Sequence, residues 1–164
     1  MVVPLSINER IKLVAEFLFK IIDNVDAIKS ATDSFEEFVK ALVSHSSRLG
    51  MMLLSGRLDD AVFYALSRSK LGGIRGIDIV EFPTIDNLLA YVRTEKEKVS
   101  KDALAWACIV WFILKKVLPK LGCTNPCSGF AFLADIDSIL REELKRSVYL
   151  YLDTFVRVLK SYLV

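Results

Sequence analysis

Residues 140–163 read LREELKRSVYLYLDTFVRVLKSYL, and their apolar side chains recur three and four apart, the period of an α-helix. At about 100° per residue from Arg141, Leu144, Val148, Tyr151, Leu152, Phe155, Leu159 and Tyr162 fall between about 280° and 20°. That stripe is wide enough to face a core. Tyr162 closes it near the chain end, where its hydroxyl can reach water. Arg146, Asp153, Arg157 and Lys160 fall between about 100° and 160°, a basic line on the solvent side with one acid in it. Arg141 and Lys145 sit nearer the core stripe. Tyr149, at about 80°, lies between core and basic line.

The same period runs back through the chain. A first helix is expected from about Ser6 to Asn24, on Ile7, Ile11, Val14, Leu18, Ile21 and Ile22. Asp33 with Glu36 three residues on resembles a capping box for a second helix through Phe38, Leu42 and Val43. The serines of SHSSRLG are expected to weaken that helix, because their hydroxyls compete for backbone hydrogen bonds. MMLLSG carries the chain to a break near Gly56. A third helix follows from about Leu58 to Lys70, then a flexible GGIRG loop. Pro83 and Thr84 open a short helix to about Lys96. An apolar helix runs from Ser100 or Asp102 to about Leu118, where Pro119 ends it. GCTNPCSG is a loop, and the last helix begins near Asp135. GIDIVEF is the one candidate strand, and a lone strand has no partner to pair with. The expected fold is all-α, a compact bundle of about six or seven helices with a long C-terminal helix, in one domain over residues 1–164.

Composition agrees. The chain has 164 residues, 53% of them apolar, which excludes disorder as the main state. It carries 22 basic and 20 acidic side chains, a formal charge of +2, so any nucleic-acid site depends on where the charges sit rather than on their sum. Mean hydropathy is +0.40. The longest uncharged apolar run, ALAWACIVWFIL at 103–114, would make about 18 Å of helix against a hydrocarbon core of about 30 Å. It reads as a buried core helix containing Trp106, Trp111 and Phe112. The N-terminal MVVPLSINERIKL lacks the charged-then-apolar pattern of a signal peptide, so a cytoplasmic protein with no membrane role is expected.

Three segments carry a resemblance. LVSHSSRLGMMLLSGRLDDAVFYALSRSK, ALAWACIVWFILKKVL and LREELKRSVYLYLDTFVRVLKSYL, in that order, resemble the small all-helical subunit of the type III-B CRISPR effector, the Cmr complex. The likeness covers roughly residues 40–70 and 103–163. The family's last helix often reads Asn-Trp-Leu-basic-Arg; here Asp153 and Thr154 stand at the Asn and Trp positions, and Arg157 is retained. The turn reads LSGRL where the family has Asn-Gly. The resemblance implies a non-enzymatic structural subunit without a cofactor. Copies of it would stack head to tail beside the other subunits that carry the crRNA. They would help hold the crRNA/target RNA duplex through basic surfaces.

Lys and Arg contact RNA phosphates without sequence preference, as a guide-directed complex requires. The candidate RNA-binding residues are Arg157, Arg146 and Lys160, then Lys145 and Arg141, with Lys40 and Arg48 as a further pair. Only Arg157 is carried over from the family by position. Lys40, Ser44 and Ser47/Arg48 share a helix face at four-residue spacing. The competing reading is a generic helical protein–protein adapter or homodimer with no nucleic-acid role. The two readings differ in whether the last helix's basic line joins the Lys40/Arg48 face or scatters among acids.

Catalytic and metal readings find little support. His45 is the one histidine, and Ser44, Ser46 and Ser47 beside it point in other directions. Asp59–Asp60 and Glu142–Glu143 diverge by about 100° within each pair. Cys123 and Cys127 supply two thiolates where tetrahedral zinc takes four ligands. They read as free thiols or as a loop disulfide. RTEKEKVSK at 93–101 reads as a solvated helix end, with contact to a neighbour or RNA as the other possibility.

Overall fold

The computed structural model describes residues 6–95, 97–121 and 138–163, with the side chains of the last segment from 142 onward. Helix α1 (Ile7–Asp23) starts at Ser6, whose hydroxyl accepts the Glu9 amide at 3.2 Å. Asn24 then breaks the chain. Its side-chain amide donates to the Lys20 carbonyl and to Asp86, both at 2.7 Å. A short α2 (Val25–Thr32), which the periodicity does not predict, follows at once and ends at Asp33 in the left-handed conformation, φ 76°. Asp33 is thus a helix end. The N-cap of α3 is the next residue, Ser34, which accepts the Glu37 amide at 3.2 Å.

Helix α3 (Phe35–Ser55) runs unbroken through SHSSRLG, contrary to the expected weakening. Leu42, Leu49 and Leu53 are buried along it, and tertiary packing outweighs the small propensity cost of three serines. Helix α4 (Leu58–Ser67) stops three residues short of the expected end. A tight turn follows, with the amides and carbonyls of Leu71 and Ile74 paired at 3.2 and 2.9 Å around Gly72, φ 54°. The strand candidate is a 3-10 turn, Gly76–Glu81, which buries Ile79 and Val80. A segment with no neighbouring strand satisfies its amides locally, and a 3-10 turn does that in few residues.

Helix α5 (Ile85–Thr94) is capped by Thr84, and α6 (Lys101–Phe112) by Ser100. Helix α6 passes into a π-turn, Ile113–Val117, and a last turn, Leu118–Lys120. Pro119 therefore lies inside the helical run instead of ending it. The wider π-turn, in which the Leu118 amide donates to the Ile113 carbonyl, makes room for a ring that would collide with the carbonyl four residues back. Helix α7 (Ser138–Tyr162) closes the bundle. Asp135, proposed as its start, and the GCTNPCSG loop lie outside the described residues.

Every residue from Leu104 to Leu114 is buried. A helix apolar all round belongs in the middle of a core, and α6 is the axis on which α3, α4 and the 3-10 turn pack. Phe17 of α1 stacks on Phe112 at 4.4 Å and meets Phe155 of α7 at 5.4 Å. The Trp111 indole N–H donates to the Phe82 carbonyl at 2.9 Å, so the bulkiest core side chain leaves no orphaned donor. Buried apolar residues from α1 through α7 form one cluster. The high hydropathy is spent there: among the described residues no helix is long and apolar enough to cross a membrane.

Candidate nucleic-acid interface

Helix α7 packs mainly on α3 and α1. Lys145 meets Gly56, Tyr149 meets Gly50, and Leu152 and Val156 share a groove with Ser46 and Ser47, so α7 runs antiparallel to α3. Leu144, Val148, Tyr151, Leu152, Phe155 and Leu159 are buried, the core stripe expected from their spacing. Tyr162 departs from it: it is 66% exposed and touches Phe19 edge-on at 6.4 Å.

Arg146, Arg157 and Lys160 lie on the outer side of α7, between its groove with α3 and its groove with α1, and all three are exposed. They form the crest of the helix. Arg146 and Lys160 have no acid partner among the described residues. The Arg157 Nε lies 3.0 Å from Asp153, one turn back, so this acid neutralises part of the line. Lys145 is different. Its side chain is 18% exposed, and its ammonium donates to the Gly56 carbonyl at 2.9 Å while pairing with Glu142 at 2.9 Å. A cation at the carbonyl end of α3 offsets that helix's dipole, so this charge is directed into the fold. Nothing is described of the Arg141 side chain.

On α3, Lys40, Ser44, Ser47, Arg48 and Met51 are all exposed along one side. That side adjoins the α7 groove, so the two predicted basic features lie on neighbouring helices of one surface. They do not merge into an acid-free patch. Lys40 sits 3.5 Å from both Glu36 and Glu37. The Glu37 carboxyl is held below its ordinary range, first by the hydrogen bond from Lys101 and then by the charge of Lys40. Lys98 and Lys101 of the 93–101 run are likewise engaged, Lys98 with Asp33 at 2.8 Å and the Ser30 carbonyl at 2.7 Å, Lys101 with Glu37 at 3.1 Å.

Arg48 turns away from these acids, toward α4. Its guanidinium donates to the Tyr64 hydroxyl at 3.4 Å, and the Arg68 guanidinium lies over the same ring, 5.2 Å from its centre. Periodicity leaves the place of Tyr64 open and does not single out Arg68. Their four-residue spacing is visible in YALSR, but only tertiary packing brings Arg48 to them. Behind Tyr64 the ring of Trp106 stands edge-on at 5.6 Å and stacks on His45 at 4.7 Å. His45 directs Nε2 to Asp102 at 2.7 Å, and its Nδ1 is buried without a partner among the described residues. This histidine is part of a packed aromatic column, with its ring nitrogen on an acid and not on a serine.

Among the described residues, large exposed apolar side chains lie on α1, α3, α4 and α7. Ile7, Ile11 and Phe19 line the outer side of α1, with Tyr162 of α7 beside them; Met51 and Leu54 lie on α3, with Phe63 on α4. Between α1 and α7 runs an open groove of about 460 Å³ lined by Ile7, Ile11, Arg10, Arg157 and Tyr162 among others. Among the described residues no three His, Cys, Asp or Glu side chains gather as metal ligands; Cys123 and Cys127 lie outside them. Set against known proteins, the chain matches no family model, no curated protein and no solved structure.

Proposed function

We propose that this chain is a non-enzymatic structural subunit of an RNA-guided complex of the type III-B CRISPR kind. It would stack in copies along the crRNA/target RNA duplex and contact RNA phosphates through basic surfaces. The observation that carries the reading is the surface shared by α7 and α3, where Arg146, Arg157 and Lys160 stand beside the exposed side of α3 that carries Lys40. A basic surface that is partly neutralised binds RNA weakly in one copy, and useful affinity comes from several copies held on one strand. The exposed apolar residues on α1 with α7 and on α3 with α4 suit stacking. Two different patches on one chain make a head-to-tail contact, which repeats along a line instead of closing on a two-fold axis.

The second reading is a helical protein–protein adapter or homodimer that binds no nucleic acid. The acids beside Lys40 and Arg157 favour it, as does the exposed apolar side of α1. The test is co-purification of the tagged protein from its native host, with sequencing of bound RNA and mass spectrometry of bound proteins. Guide RNAs with CRISPR backbone subunits support the first reading. Protein partners without RNA support the second.

A further inference from the structure

We propose that Arg48, Tyr64 and Arg68 form a site for a single-stranded segment of RNA, taking a backbone phosphate between the two guanidinium groups and a base against their planar groups. The inference rests on the RNA-binding reading and assigns it a second contact, on α3 and α4, apart from the crest of α7.

Three donors lie around one ring: the Tyr64 hydroxyl, Arg48 on that hydroxyl and Arg68 over the ring face. In the hydrogen bond from Arg48, Tyr64 is the acceptor, so its own hydroxyl proton has no acceptor among the described residues. Arg68 carries no acid partner among them either, and its charge rests on the Tyr64 ring. By contrast, Arg57, Arg75 and Arg157 each hold an aspartate, at 2.8, 3.3 and 3.0 Å. Two uncompensated guanidinium groups at one phenol repel each other, and an oxyanion between them removes that cost. Arg68 follows the last residue of α4, where the helix dipole disfavours an anion. Its side chain folds back one turn over Tyr64, away from the carbonyl end.

The site is also held in shape. Tyr64 is fixed edge-on by Trp106, which is 3% exposed, and Trp106 is fixed by the His45–Asp102 pair. A ring already ordered in the free protein loses little entropy when a ligand arrives. Single-stranded RNA is the occupant that uses both chemistries, because splayed bases stack on tyrosine and guanidinium planes while their phosphates meet arginine. A duplex hides those base faces.

The test is a titration of the full chain with a short oligouridylate and with duplex RNA of equal length, following the arginine side-chain Nε–H resonances. Affinity is measured in parallel for the Arg48→Gln/Arg68→Gln variant, for Tyr64→Phe and for an Arg146→Gln/Lys160→Gln variant. Both site arginines are exposed, and an unchanged melting temperature would verify that the fold is kept. The expected result is movement of the Arg48 and Arg68 resonances with the single strand. Affinity should be roughly tenfold weaker without the two arginines. The slope of log K against log salt should be shallower by about 0.7, the contribution of the one phosphate no longer neutralised. Tyr64→Phe should weaken binding less, since it removes one donor and keeps the ring. If RNA moves the crest resonances and leaves Arg48 and Arg68 still, this site is wrong and the RNA reading stands. If no resonance moves with either RNA, both fail. Equal response to duplex overturns the single-strand assignment.

Discussion

Two glycines show how much one hydrogen atom decides. Gly76 lies where an added Cβ would stand 2.0 Å from the Leu66 carbonyl oxygen and 2.8 Å from its carbon. Those are backbone atoms at the end of α4 and cannot swing aside. Gly76→Ala should therefore destabilise the protein by at least about 2 kcal/mol, by forcing the 3-10 turn off α4. Gly50, inside α3, is the opposite case. Its added Cβ would meet the Tyr149 ring at 3.5 Å, an ordinary contact. Removing a glycine from a helix interior is worth up to about 1 kcal/mol. Gly50→Ala should raise the melting temperature where Gly76→Ala lowers it. Thermal denaturation of the two variants checks the pair, and a shift of the same sign in both would refute the argument. Neither difference is readable from the letters GM and GI.

At the scale of elements, the bundle is pinned by polar ties between helix ends. Lys145 reaches from α7 to the Gly56 carbonyl at the end of α3. Lys145→Met keeps the apolar stem and removes the charge, and the expected loss is about 1–2 kcal/mol. Chemical denaturation would measure it, and stability equal to the parent's would show that the tie is idle. The join of α1 to α5 is pH-sensitive. The Asp86 carboxyl is held below its ordinary value, first by the Asn24 hydrogen bond and then by Lys20. A depressed folded-state pKa contributes stability above the unfolded value and loses it as pH falls through the folded one. Asp86→Asn keeps an acceptor for Asn24 but does not titrate. The gap in melting temperature between parent and variant should be present near neutral pH and close in acid, below the ordinary aspartate range. A gap that is constant with pH would contradict this. Periodicity gave most of these helices correctly, because an amphipathic stripe is written in the order of residues. It missed α2, which is only eight residues long, and it placed the cap of α3 one residue early. Short elements owe their existence to the neighbours they pack on, which periodicity does not record.

For the whole molecule, the surface of α7 and α3 carries the functional reading, and exposed Arg157 is a direct test of it. Its side chain is 79% exposed and its pair with Asp153 spans one turn. Arg157→Glu places two acids one turn apart, which costs a few tenths of a kcal/mol in stability. The melting temperature should hardly change, while on the proposed RNA-binding reading the assembled complex should bind target RNA more weakly and with a shallower salt dependence. Electrophoretic mobility of the reconstituted complex at two salt concentrations checks it; unchanged affinity would remove Arg157 from the interface.

By itself the sequence determined that the chain is helical, that residues 104–114 are interior, and which side of the last helix faces water. Those properties follow from local period and apolar content, and a helix keeps both wherever it packs. Tertiary structure alone decided what each charge does. Lys145 turns inward to a carbonyl, Lys40 and Arg157 fall beside acids, and Arg48 finds Tyr64 and Arg68 on another helix. A charge acts through whatever lies within a few ångströms of it, and in a bundle those neighbours come mostly from distant parts of the chain.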